Sequence, residues 1–173
     1  MKKTTLWVFV LFICCAAAWG EEVKIQDNTP FAYAYLEGNG PYNQISAKIG
    51  QLMEEITRQQ VLSDGNPFGL YLNSPQEVKS EAELKWLVGI SIPKDAKPAA
   101  PLKRGEFSFP KVARCLYTGP YEKVGEAFAK IMQYIGANGY RVAGPVMEMY
   151  WNDPMTVKPE QLMTEILIPV EKK

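Results

Sequence analysis

The chain of 173 residues contains no histidine. That absence removes Ser–His and Cys–His nucleophile pairs, histidine-ligated haem and most zinc sites. Cysteine is almost as scarce. Of three, Cys14 and Cys15 lie in an N-terminal apolar segment, which leaves Cys115 alone in the rest of the chain. A lone cysteine makes no intramolecular disulfide, so the fold must rest on an ordinary hydrophobic core. Cys115 reads most simply as a buried strand residue, because an activating histidine is missing. A charge excess is absent too. Lys plus Arg and Asp plus Glu both number 19, so nothing suggests a nucleic-acid partner or steering by bulk charge.

Long apolar runs are confined to the N-terminus. Lys2 and Lys3 precede an uninterrupted apolar stretch at 6–13, and Ala16-Ala17-Ala18-Trp19-Gly20 follows. This is the pattern of a secretory signal, residues 1–20, with cleavage after Gly20. The alternatives are an uncleaved anchor, or a lipoprotein signal at Cys14 or Cys15, which the bulky Phe12 and Ile13 disfavour. Cleavage leaves a domain at 21–173 with 17 basic and 19 acidic residues and no membrane span. The expected location is outside the cytoplasm, in the periplasm or secreted.

What is present is a repeat. Gly40-Pro41-Tyr42 recurs 79 residues later as Gly119-Pro120-Tyr121. Tyr71-Leu72-Asn73-Ser74-Pro75 recurs as Tyr150-Trp151-Asn152-Asp153-Pro154. Between these anchors the helical stripe Ile45, Ile49, Leu52, Met53, Ile56 matches Val124, Phe128, Ile131, Met132, Ile135. So long a period is not a solenoid. It reads as two copies of one half-domain, about 28–93 and 106–171, joined by a Pro/Ala/Lys-rich linker at 94–105.

Each half reads as strand, helix, strand, strand. The expected elements are strands at 31–37, 67–73 and 85–92 around a helix at 42–60, then strands at 108–117, 142–151 and 162–169 around a helix at 121–137. Alternation assigns faces. Val88, Ile90 and Ile92 match Thr164, Ile166 and Ile168 and should face the helices. Phe68, Leu70 and Leu72 match Met147, Met149 and Trp151 and should do the same. The opposite face then carries Gly69, Tyr71 and Gly89 in one half, and Glu148, Tyr150 and Glu165 in the other.

The two halves differ where a task is expected. Gly69 corresponds to Glu148, and Gly89 to Glu165 if the preceding loop is three residues shorter. One half would supply space and the other two negative charges. Carboxylates in an aromatic cleft suit a bound cation, which offsets their desolvation. Tyr33, Tyr35, Tyr71, Tyr150, Trp86 and Tyr117 are the candidate walls. The alternative is a solvated sheet face, with the glutamates paired to Arg114 or a lysine.

Gly-Pro-Tyr, a helix, Tyr-x-Asn-x-Pro and the closing Thr164-Glu165-Ile166-x-Ile168-Pro169-Val170 together resemble the GyrI-like small-molecule-binding domain. The same domain is the effector-binding domain of AraC- and MerR-type regulators. The resemblance spans about 28–171. It implies an α+β fold of duplicated β-α-β-β modules with pseudo-twofold symmetry, an antiparallel sheet forming a concave cleft and helices behind it. It also implies an amphipathic or cationic small-molecule ligand, with Glu148 and Glu165 as pocket glutamates. No DNA-binding segment is expected before the domain, and the expected signal would set the chain apart from partners of cytoplasmic DNA gyrase. The related SOUL haem proteins share the fold, but histidine-ligated haem is excluded here, and no cofactor or metal is expected.

Three functions follow as expectations. The first is a binding module for a small, amphipathic or cationic molecule. The second is a hydrolase of strained electrophilic rings, using Glu165 with Tyr150 or Tyr117. The third is an envelope interaction module, with 94–105 as the contact.

Overall fold

The computed structural model describes residues 22–173; the proposed signal segment, with Cys14 and Cys15, lies outside the described residues. Nine strands and two helices follow in order: β1 (Lys24–Asp27), β2 (Phe31–Asn39), α1 (Ile45–Arg58), β3 (Asp64–Tyr71), β4 (Lys85–Ile92), β5 (Lys103–Phe107), β6 (Lys111–Thr118), α2 (Val124–Ala137), β7 (Tyr140–Val142), β8 (Val146–Tyr150) and β9 (Met163–Lys172). The fold is α+β, and all strand pairs are antiparallel. The sheet order is β1-β6-β9-β8-β3-β4-β2-β5, with β7 added beside β9. It is symmetric about the β8–β3 junction, as a duplication requires.

Each helix starts at its Gly-Pro-Tyr motif. Pro41 and Pro120 hold extended backbone, and a short 3-10 turn at Tyr42–Gln44 or Tyr121–Lys123 leads into α1 or α2. Gly139, at φ +75, turns the chain away after α2, in a left-handed conformation that glycine adopts without a Cβ penalty. Leu52 and Ile56 of α1, and Ile131 and Ile135 of α2, are buried against the sheet. α1 packs over β2 and β4, while α2 packs over β6. The central strands β3 and β8 therefore have no helix above them. Among the described residues no helix is long and apolar enough to cross a membrane.

Chain reach shows how the sheet is shaped. Residues 108–110 join β5 to β6, and 28–30 join β1 to β2. Each link spans at most about 14 Å. In a flat sheet six strand spacings would separate those strands by about 29 Å. The sheet must curl until its edges approach. The two crossings are tied together, since the Asn28 backbone N–H donates to Pro110 O and its side-chain amide to Phe109 O, both at 2.9 Å. The inside of the curl is filled by Phe68, Leu70, Leu87, Phe107, Met147 and Leu167.

That filled interior corrects the expected faces of β3 and β8. Phe68, Leu70 and Met147 point into the curl, with Met149 packed against the same cluster, and Tyr71, Glu148 and Tyr150 lie on the helix-bearing side. Leu72 and Trp151 lie beyond the strand ends and are about half exposed. The assignments for β4 and β9 hold, since Val88, Ile90, Ile166 and Ile168 lie in the helix-side cores. The ladder also corrects the pairing of the halves. Gly69 aligns with Val88 as Glu148 does with Ile166, so Leu167 is the counterpart of Gly89, and Leu87 that of Glu165. The segment expected as a linker contributes the first three residues of β5.

Candidate functional site

Because neither helix covers β3 and β8, a cleft of about 1420 Å³ opens between α1 and α2, with those strands as its floor. It lies on the helix-bearing side rather than in front of the sheet's other face, because the other face is the packed interior of the curl. Ile49 and Met53 of α1 face this space from one side, and Phe128 and Met132 of α2 from the other. They are the sequence stripe's members one step around from the buried core positions. Among the described residues, seven of the ten exposed large hydrophobics line the cleft, Leu72, Trp151 and Met155 included. Exposed apolar surface concentrated in one concavity marks a binding site rather than random scatter.

Glu148 stands on the floor at the symmetry junction. The Tyr71 hydroxyl donates to its Oε2 at 2.7 Å, and the Tyr150 hydroxyl lies 3.4 Å from the same oxygen and 3.1 Å from the Tyr71 hydroxyl. Two further tyrosines brace these. The Tyr42 ring meets Tyr71 edge-on at 4.9 Å between centroids, and Tyr121 meets Tyr150 edge-on at 5.8 Å. The pairs are symmetry copies, while the carboxylate is single. Its counterpart Gly69 leaves room for it: a Cβ there would stand 3.0 Å from the Tyr150 hydroxyl and 3.6 Å from that of Tyr71.

Burial pushes the Glu148 carboxyl above its ordinary range, and the hydrogen bonds from Tyr71 and Tyr150 offset this in part. Burial also holds the Tyr71 and Tyr150 hydroxyls well above 10.0, reinforced by Tyr150 and Glu148 for Tyr71 and by Glu148 for Tyr150, whose rise the Tyr71 hydrogen bond offsets in part. Both phenols are neutral donors at physiological pH. Among the described residues no carboxylate and thiol set could hold a metal ion.

The structure brings Glu148, Tyr71 and Tyr150 together and leaves the other candidates elsewhere. Glu165 is buried on the opposite face, ion-paired to Arg114. This is the alternative the sequence left open, and it follows from adjacent β9 residues pointing to opposite faces. Glu165 therefore cannot act with Tyr150 or Tyr117, which share the Thr164 side. Tyr33 is packed inside the curl, edge-on to Phe68 at 5.3 Å, and Tyr35 contacts Tyr33 there. Trp86 is core: its indole N–H donates to Gly40 O at 2.9 Å, and its ring occupies the space beside Gly38. Tyr117, the counterpart of Gly38, is buried with its hydroxyl donating to Pro120 O at 2.9 Å. Sequence reasoning missed Tyr42 and Tyr121 as site residues, although both sit in the Gly-Pro-Tyr anchor.

A duplicated α+β domain with an acidic aromatic cleft between its helices is the class these features define. The chain belongs to the GyrI-like small molecule binding domain family, whose model matches residues 21–171. No curated protein matches it in sequence. Solved structures share the fold. The EcmrR C-terminal domain aligns with a TM-score of 0.76 at 17% identity, covering 88% of this chain and 99% of that one. This chain spans 58% of the EcmrR chain seen in its DNA complex. A hydrolase from Listeria innocua aligns at 0.65 and 12% identity, covering 87% and 92%. The protein SAV2435, solved with tetraphenylphosphonium, aligns at 0.55 and 16%, covering 87% and 94%.

Proposed function

We propose that this protein binds a small amphipathic cation in the cleft between α1 and α2. The observation that carries this reading is a single carboxylate, Glu148, set among four tyrosines beneath an apolar mouth. A cation would compensate the desolvated charge, and the rings would hold it by cation–π attraction. The tetraphenylphosphonium bound to SAV2435 is a ligand of this chemistry on the same fold. The test is calorimetric titration with tetraphenylphosphonium and with neutral triphenylphosphine oxide. The cation should bind and the neutral compound should bind far more weakly. Glu148→Gln should weaken the cation by about tenfold or more, a loss near 1.4 kcal/mol. Equal affinity of wild type and variant for the cation would overturn the reading.

A hydrolase reading is favoured by one contact, the 2.7 Å hydrogen bond between Tyr71 and a carboxyl of raised pKa. Here Glu148 would activate water and Tyr71 would protonate the leaving oxygen of an opened epoxide. Turnover of a styrene-type epoxide that Glu148→Gln abolishes would support it. The N-terminal pattern supports export to the periplasm or out of the cell. N-terminal sequencing of the protein recovered from a periplasmic fraction checks this.

A further inference from the structure

Every charged residue lining the cleft is acidic: Glu77, Glu122, Glu148 and Asp153. The chain as a whole has equal numbers of acidic and basic residues, yet no lysine or arginine lines this concavity. Among the described residues none of the four takes part in a salt bridge. Their arrangement is ordered. Glu148 stands at the symmetry junction. Glu77 lies in the turn after Tyr71, where its Oε2 accepts the Ser74 N–H at 2.6 Å. Asp153 lies in the equivalent turn after Tyr150, where its Oδ1 accepts the Met155 N–H at 2.8 Å. Each rim carboxylate stands near the outer tyrosine of its own half. Burial raises the pKa of Tyr42 and of Tyr121, Glu148 raises both further, and Glu77 adds to the first and Asp153 to the second.

These carboxylates are spread along the cleft rather than gathered. No three acidic, histidine or cysteine side chains among the described residues converge on a point that could hold a metal ion. A single divalent ion therefore does not answer the charge. Separate cationic centres on one molecule would, with the apolar walls formed by Met53 and Phe128 accommodating the chain between them. A concavity lined by one sign of charge with low-dielectric walls focuses the field on such a ligand.

We infer that the preferred ligand is an elongated organic polycation: a linear chain carrying at least two ammonium centres, one seated at Glu148 and another at the Glu77 or Asp153 end. This rests on the cleft being a cation site. Its own content is the second charge.

The test uses α,ω-bis(trimethylammonium)alkanes of graded chain length and, as controls, alkyltrimethylammonium ions of matched length. These are titrated into wild type, Glu148→Gln and the double variant Glu77→Gln/Asp153→Asn. Gln and Asn keep an oxygen for the turn N–H groups, and thermal melting verifies that the fold is retained. A dication of optimal length should bind wild type about fivefold or more tighter than its monocation, the size of one partly exposed charge pair. Its affinity should also fall more steeply with salt. In the double variant that advantage should vanish, because the dication loses far more affinity than the monocation. Equal binding of dication and monocation, or a double variant that weakens both alike, overturns the inference. If monocations bind and depend on Glu148 while dications gain nothing, only the second-charge inference fails. If no cation depends on Glu148, the cleft reading itself fails.

Discussion

Glu148 occupies the position that its copy, Gly69, leaves empty, so one residue breaks the symmetry of the cleft. Its folded-state pKa lies above the ordinary 4.5, with burial the largest cause. The sign follows from linkage. The protonated form favours folding below the unfolded pKa, and that stability is lost as pH rises through the raised folded value. Glu148→Gln mimics the protonated form and keeps an acceptor for Tyr71. It should melt above wild type at neutral pH, and the gap should close below pH 4.5. Melting curves across pH for both proteins check this. Cation affinity of the wild type should rise with pH over the same interval. Gly69 gives a second test. A methyl there would stand 3.0 Å from the Tyr150 hydroxyl and push it off Glu148. Gly69→Ala should weaken cation binding by about threefold to tenfold, because a hydrogen bond worth about 1 kcal/mol is disturbed. The Gly69–Glu148 difference was legible because the anchors flanking it keep one spacing. Glu165 was not, because Pro93 and Pro169 suggested a false match two residues out of register. The inverted face of β8, and not this even-numbered slip, put both glutamates on one face in the sequence reading.

At the scale of elements, the register that settled this is held by a side chain. Asn73 Oδ1 accepts the Lys85 N–H at 2.8 Å, and its amide donates to Glu83 O at 3.0 Å. Asn152 repeats the clamp on Met163 N–H at 3.0 Å and Gln161 O at 2.8 Å. The shared asparagine of Tyr-x-Asn-x-Pro is thus a staple between the last two strands of each half, which is why it matches in both. Asn152→Ala would leave two backbone groups without partners and should cost about 1–3 kcal/mol. Denaturant unfolding measures it. Cation affinity should fall as well, since the same turn carries Trp151 and Asp153. Helix positions were readable from the stripe, and β4 matched its expected span. The short strands β1, β5 and β7 gave no periodic signal, for each has only three to five residues. The inverted faces of β3 and β8 have a physical origin. The sequence pattern points the more apolar side of each strand at the helices, whereas the curled sheet encloses an interior more apolar still.

The whole molecule is more entangled than two halves side by side. β1 precedes the first half in sequence but pairs with β6 of the second. β5 follows the first half and pairs with β2 within it. Inside the curl, Phe107 is 1% exposed and packs in one cluster with Phe68 and Leu87 from the first half and Met147 and Leu167 from the second. A fragment ending at residue 100 would lose β5, leave β1 without its partner and expose both the β3 edge and this apolar interior. Unpaired edges and unburied apolar surface are the conditions under which a strand fragment fails to fold alone. Residues 22–100 and 101–173 expressed separately should each lack cooperative unfolding. The full protein should unfold in one transition, with calorimetric and van't Hoff enthalpies in agreement. Phe107→Ala should lower that single transition, at a cost of about 3–5 kcal/mol, without splitting it. A fragment that melts cooperatively, or a variant that separates the transition into two, would show that the halves are autonomous and that the cleft lies between independent units. One transition that shifts as a whole would mean that the floor of the cleft is part of the core, so that Glu148 and its tyrosines are held in place by the same packing that holds the fold.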